Sequence, residues 1–145
     1  MKRLLLLCAL TVAVDQVCLS SLPAQFTPYQ AKQLPPTAKN ARVRLINGPE
    51  VEIARPTWVI LRWTSSNPGG ADEHFAVAHY GTTPQQLDQV AKSHIRLNRE
   101  HSSTVFRVRI LDLKPNTTYF YTVASMGGDG KVDNLKSPES HFRTP

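Results

Sequence analysis

An all-β fold, a seven-strand antiparallel Greek-key β-sandwich over residues 42–145, is what this sequence predicts. Three observations predict it. Residues with β preference, branched or aromatic, collect in short runs. Clusters of Gly, Pro, Asn and Ser separate those runs about every ten residues. Inside the runs, apolar and polar residues alternate with period two, as in a strand with one face in a core. Eleven prolines and seven glycines among 145 residues disfavour a helical bundle, whose interior tolerates neither. The length suits one domain. With 41% hydrophobic and 19% charged residues, a packed core is available and wholesale disorder is excluded.

The first element is not part of the sandwich. Lys2 and Arg3 precede an apolar run over residues 4–14 (LLLLCALTVAV), which Asp15 closes. This is the layout of a secretory signal peptide. The run is shorter than the roughly 20 residues a membrane-spanning helix needs. Residues 1–24 are read as the signal peptide, with cleavage after Ala24 and Ser20 as the alternative. Cys18 follows Val17, not the small residue that lipidation wants. Cleavage removes Cys8 and Cys18, so the mature domain has no disulfide and is held by its core alone. The formal charge of +6 becomes +5, fifteen cations against ten anions. The mature chain is expected to be secreted, periplasmic or extracellular, with no transmembrane segment. Residues 25–41, with Pro28, Pro35 and Pro36 and no periodicity, read as a Pro-rich arm or linker.

The strands follow. Residues 42–46 form a run, Asn47-Gly48-Pro49 reads as a turn, and 51–53 resume. Residues 57–64 (TWVILRWT) form the next strand, ended by the turn cluster SSNPGG at 65–70. Residues 74–80 end at Gly81-Thr82-Thr83-Pro84. Residues 85–92 read as a short turn or irregular stretch, with a brief strand at 94–97. The runs at 105–111, 118–124 and 141–144 complete the set. Alternation assigns the faces. Val59, Leu61 and Trp63 share one, with Arg62 and Thr64 opposite. Phe106, Val108 and Ile110 share another, with Arg107 and Arg109 opposite. Tyr119, Tyr121 and Val123 share a third. Between two sheets these nine side chains form a core, and each contributes about 1.5–3 kcal/mol when fully buried, before chain entropy is set against it.

Leu113-Lys114-Pro115-Asn116-Thr117-Thr118-Tyr119 has the spacing L-x-P-x-T-x-Y. Leu113 is expected to plug the core end, Pro115 and Thr117 to shape the turn, and Tyr119 to bond its hydroxyl to main chain upstream, a tyrosine corner. Here the chain resembles a fibronectin type III domain, of immunoglobulin-like fold. Trp63 stands where that family places a core tryptophan, and Tyr80 where it places a core tyrosine. Tyr80-Gly81-Thr82-Thr83-Pro84 with Leu87-Asp88, the corner with Tyr121, and the final Phe142-Arg143-Thr144-Pro145 are similar to the fibronectin-like N-terminal domain of purple acid phosphatases. The resemblance covers about residues 42–145. It implies a β domain that precedes a metallophosphatase domain, packs against it and contributes no metal ligand. The chain has no Gly-Asn-His element, so the fold carries over and the activity does not. Ala76 and Ala78, on the Tyr80 face, are smaller than that family's usual residues there. Either the core is thin at this strand, or the outer face of its sheet is unusually apolar.

The remaining candidates are weak ones. His74, His79, His94, His101 and His141 lack the spacing of a metal site, save His74 with neighbouring Asp72 and Glu73 at a loop edge, and are expected on the solvated surface; no metal and no cofactor is expected. No nucleophile elbow, P-loop, zinc motif or carboxylate pair is present, so no enzyme is expected. Gly128, Asp129 and Lys131 sit in a Gly-rich stretch expected to form a flexible hairpin loop, a candidate contact. Arg62, Arg107 and Arg109, with Arg96 and Arg99 near in sequence, form a basic face. A solvated face is the preferred account of it over polyanion binding. Nucleic acid is excluded as a partner, because an exported chain lacking aromatic–basic interleaving does not suit it. Asn116-Thr117-Thr118 fits a glycosylation sequon, operative only in a eukaryotic secretory pathway. Phe75, Val77 and Phe120, with His79 and Thr122 between them, are expected on the outer face of the other sheet, where an apolar patch marks a partner surface. The expected function is a non-catalytic exported binding or scaffolding module for an unknown protein partner or a cell-envelope or extracellular component. The alternative is an accessory β domain that docks with a separately encoded metallophosphatase of purple acid phosphatase type.

Overall fold

Strands that bury one face must pair edge to edge and then close that face against a second sheet. The computed structural model describes residues 38–39 and 42–145; the expected signal peptide at 1–24 and all of the expected 25–41 arm except Ala38 and Lys39 lie outside them. Seven strands are formed: β1 (Leu45–Arg55), β2 (Trp58–Ser66), β3 (Glu73–Gly81), β4 (Gln89–Arg96), β5 (Ser103–Ile110), β6 (Thr118–Gly127) and β7 (Ser140–Arg143). All pairings are antiparallel. One sheet has the order β1-β2-β5 and the other β4-β3-β6-β7. The chain therefore crosses between sheets after β2, after β4 and after β5, which is a Greek-key sandwich. Among the described residues no helix is long and apolar enough to cross a membrane.

The core comes from the alternating positions. Val59, Leu61, Trp63, Phe106, Val108, Ile110, Tyr119, Tyr121, Val123 and Tyr80 are all buried. The β2–β5 register places Trp63 beside Phe106, Leu61 beside Val108 and Val59 beside Ile110. The Trp63 and Phe106 rings stack at 5.4 Å, nearly parallel. Ala76 and Ala78 join the same core with no exposed surface. The core at β3 is not left empty: small side chains on one sheet accommodate large rings on the other.

Two strands differ from the expectation. β1 runs through Asn47-Gly48-Pro49 instead of turning there. The pairing with β2 absorbs the three residues as irregularities, with register shifts from Leu45 to Asn47 and from Asn47 to Glu50. Gly48 has φ +83°, and a Cβ there would lie 2.9 Å from the Arg62 carbonyl oxygen. Glycine is what lets β1 stay against β2. β4 starts at Gln89, well before the brief strand expected at 94–97. β3 offers a full edge, and β4 fills it from Tyr80 beside Gln89 to Glu73 beside Arg96. The irregular stretch shrinks to the residues just before Gln89.

The corner before β6 is built from local bonds. The Tyr119 hydroxyl accepts the Lys114 N–H at 2.9 Å. Leu113 is buried, and its N–H donates to the Thr57 carbonyl at 3.0 Å. Asp112 and Asn116 take φ of 57° and 53°, a region these two residue types tolerate. Thr117 Oγ1 donates to the Pro115 carbonyl at 2.9 Å. Thr144, fully enclosed, closes the corner from the far end of the chain. Its hydroxyl donates to the Lys114 carbonyl at 2.7 Å and accepts the Thr117 N–H at 3.0 Å. Its own N–H donates to the Thr117 carbonyl at 3.0 Å.

Trp63→Ala is expected to cost about 3–5 kcal/mol through lost transfer energy and the cavity left behind. Tyr119→Phe should cost about 0.5–1.5 kcal/mol for one hydrogen bond. Denaturant midpoints check both, and an unchanged midpoint for Trp63→Ala would place the ring outside the core.

Candidate functional site

The outer face of the four-stranded sheet carries the candidate surface. Phe75, Val77 and His79 project from β3, and Phe120, Thr122, Ala124 and Met126 from β6. The register sets His79 beside Thr122 and Val77 beside Ala124. β3 and β6 are the two central strands of the sheet, and their outward residues are flanked on both sides. The expectation of an open apolar patch needs correction here. Val77 and Thr122 are 4% and 8% exposed, so they are buried positions and not projecting contacts. Phe75 and Phe120 are half-buried, and His79 alone of the five is open. His94 stands edge-on to Phe75 at 5.5 Å, and His141 lies 6.0 Å from Phe120.

Beside this row the face is concave. A groove of about 750 Å³ has His79, Thr122 and Ala124 on its floor, Leu87 on one wall, and Val132 and Leu135 on the other. The loop before β4 forms the first wall and the β6–β7 connection the second. Glu139 Oε2 accepts the Gln85 N–H at 3.0 Å, joining the two walls. Val132 on the second wall is 55% exposed. The groove wall at 132–137 was not legible as structure in the sequence, because it pairs with β6 at a bridge and through single bonds instead of as a strand. Gly128, Asp129 and Lys131 are exposed and lie in a hydrogen-bonded turn. Gly127 N–H donates to the Lys131 carbonyl at 2.8 Å, and Asp129 Oδ1 accepts the Lys131 N–H at 3.0 Å.

The expected solvated histidines also need correction. His74 is 2% exposed. It stands on the inner face of β3, in line with Ala76, Ala78 and Tyr80. Its Nε2 lies 3.0 Å from Oδ2 of Asp133, whose side chain has no exposed surface. The alternation of β3 put His74 on the Tyr80 face, and that was the signal for its burial. Among the described residues no three His, Cys, Asp or Glu side chains converge as a metal site would need. Burial pushes the phenols of Tyr80 and Tyr121 above their ordinary range, so neither is suited to act as a base at neutral pH.

The basic stripe is not a free positive face. Arg62 Nη1 meets Glu50 at 2.9 Å. Arg107 grips Glu52 with Nε at 2.8 Å and Nη2 at 2.9 Å. The Arg109 guanidinium lies 4.2 Å over the Trp58 ring. Arg99 and Arg96 both turn to Asp72. Each of these arginines is held by an acid or a ring of the domain itself. The carboxylates that do this sit on β1 and the loop before β3, and alternation within one strand does not reveal such cross-strand partners.

A family model described as "Purple acid Phosphatase, N-terminal domain" matches residues 47–144. No curated protein matches the chain. Among solved structures, the sensor domain of an anti-sigma factor (RsgI4) of Pseudobacteroides cellulosolvens is similar at 20% identity, covering 70% of this chain and 88% of that one, with a TM-score of 0.48. The FN5 domain of Drosophila Lar matches at 16% identity over 68% and 92% of the two chains, TM-score 0.40. The third fibronectin III domain of the human KIAA0343 protein matches at 16% over 76% and 83%, TM-score 0.37.

The Arg107 hydrogen bonds hold the Glu52 carboxyl below the usual carboxylate range. A carboxylate lowered in the folded state stabilises above its unfolded pKa, and that contribution is lost as pH falls through the folded value. A carboxyl-resolved NMR titration should show Glu52 titrating below its ordinary position, and Arg107→Ala should return it there. No movement on Arg107→Ala would refute the pairing.

Proposed function

Because the chain belongs to the family of purple acid phosphatase N-terminal domains, we propose that it is a non-catalytic, exported fibronectin-like module that works by docking. The observation that carries this reading is the groove on the outer face of β4-β3-β6-β7, with half-buried Phe75 and Phe120 on the same face. An apolar concavity rimmed by charged residues is a surface built for contact. A catalytic role has no support from the residues: the histidines that could act as bases are spread over the surface or paired with Asp133, and the tyrosines are structural. Export is supported by the charged and apolar layout of residues 2–15.

A second reading follows from the family itself. The domain is the N-terminal part of purple acid phosphatases, so the same face could seat against a metallophosphatase catalytic domain encoded separately. In that reading the groove receives a loop of the enzyme.

Two experiments test these readings. The purified mature chain with added manganese, zinc or iron should release no phosphate from an aryl phosphate above the buffer rate. Metal-dependent turnover that co-purifies with the chain would overturn the non-catalytic reading. In the exported fraction, partners retained by the wild type should be lost on Phe75→Ser and Phe120→Ser, with unfolding midpoints kept. A truncation of such anchors typically weakens binding about tenfold or more. Identical capture by wild type and both variants would remove this face from the function. Titration calorimetry against an isolated purple acid phosphatase catalytic domain separates the second reading from the first.

A further inference from the structure

The Asp133 carboxyl has no exposed side-chain surface, and a buried acid persists only beside polar or charged partners. Two basic side chains stand against it. His74 Nε2 is 3.0 Å from Oδ2, and the Lys39 ammonium is 3.5 Å from Oδ1. Among the described residues neither oxygen of Asp133, and neither ring nitrogen of His74, makes a well-directed hydrogen bond. The Lys39 ammonium is the fixed cation at this carboxyl. Lys39 is half-exposed and arrives along a fitted path. A Cβ on Gly69 would lie 2.2 Å from the Ala38 carbonyl oxygen, and the Lys39 stem runs 3.8–3.9 Å from where a Cβ on Gly70 would be. The loop beneath is held by Asn67, whose Nδ2 donates to the Asn98 and His101 carbonyls at 2.8 Å.

Asp133 also belongs to the groove wall. Its N–H donates to the Ser125 carbonyl at 2.8 Å, and the Ser137 N–H donates to the Val123 carbonyl at 3.0 Å. Val132 and Leu135, between and beside these two bonds, face the groove. We propose that Lys39, His74 and Asp133 form a latch that couples the Ala38-Lys39 strap to the 132–137 wall of the groove. With Lys39 seated, the wall lies closed on the edge of β6. Lifting the strap leaves the Asp133 carboxylate with His74 alone, and the wall opens toward water to rehydrate it. The latch is a property of the fold and does not require a partner in the groove, so it stands or falls apart from the docking reading.

Amide hydrogen exchange on the full chain tests this. In Lys39→Met the Asp133 and Ser137 amides should exchange about fivefold faster or more, the scale of one lost ion pair, while the Leu61 and Val108 amides stay within about twofold. Lys39→Arg should restore protection. In an Asp133→Asn background, Lys39→Met should add nothing. Unchanged exchange at Asp133 and Ser137 in Lys39→Met, equal acceleration across the whole sandwich, or an undiminished Lys39→Met effect in the Asp133→Asn background would each overturn the latch.

Discussion

The domain depends on one packing arrangement, the stacking of Trp63 on Phe106 between its two sheets. The two rings come from neighbouring strands, β2 and β5, and lie 5.4 Å apart. With Tyr121 they are the largest fully buried side chains of a core that has no disulfide among the described residues to supplement it. Rings of that size need room, and Ala76 and Ala78 on β3 leave it. The small residues and the large ones therefore belong to one design. Replacing either alanine by a bulky aliphatic would not thicken the core but push the sheets apart.

Below that stack, the sandwich closes through polar devices at its two ends. At one end the Tyr119 hydroxyl, Leu113 and Thr144 fasten the β5–β6 connection to the chain terminus. At the other, buried charge joins β3 to the β6–β7 connection. The first device is neutral and hydrogen-bonded throughout, with Thr144 reaching it from 27 and 30 residues away. The second sets an acid, Asp133, against His74 and the Lys39 ammonium. Neutral, well-bonded corners are rigid, whereas a buried polar cluster with few directed bonds is the place where a fold can yield. The groove on the outer face of β4-β3-β6-β7 has its second wall carried by the weaker end.

Much of the fold was legible because period-two alternation is a strong constraint. Val59, Leu61 and Trp63 could face only one way once Arg62 and Thr64 faced the other, and L-x-P-x-T-x-Y located the corner to the residue. β1 was misjudged at Asn47-Gly48-Pro49 because three turn-favouring residues can equally be absorbed as bulges when a neighbouring strand supplies the pairing. β4 was cut short for a related reason. Gln89 to Lys92 have little intrinsic strand preference, and it is the open edge of β3 that makes them a strand. His74 was the informative error. Its own strand pattern placed it inward, yet a histidine outside any ligand motif was read as solvated. The groove was illegible altogether, since its second wall is neither strand nor recognisable loop and its floor is shared by β3 and β6. The arginines likewise looked like a free basic face until β1 supplied Glu50 and Glu52 across the sheet.

Thr144 gives the domain a mechanical polarity. Because its hydroxyl and amide are tied into the turn ahead of β6, a tether fixed after Pro145 would pull on the corner and not peel β7 away one residue at a time. Tension entering there would be resisted by several short bonds loaded together, in shear, beside the Tyr119 and Phe142 rings. A fusion joined at that point would inherit a stiff, well-aimed exit.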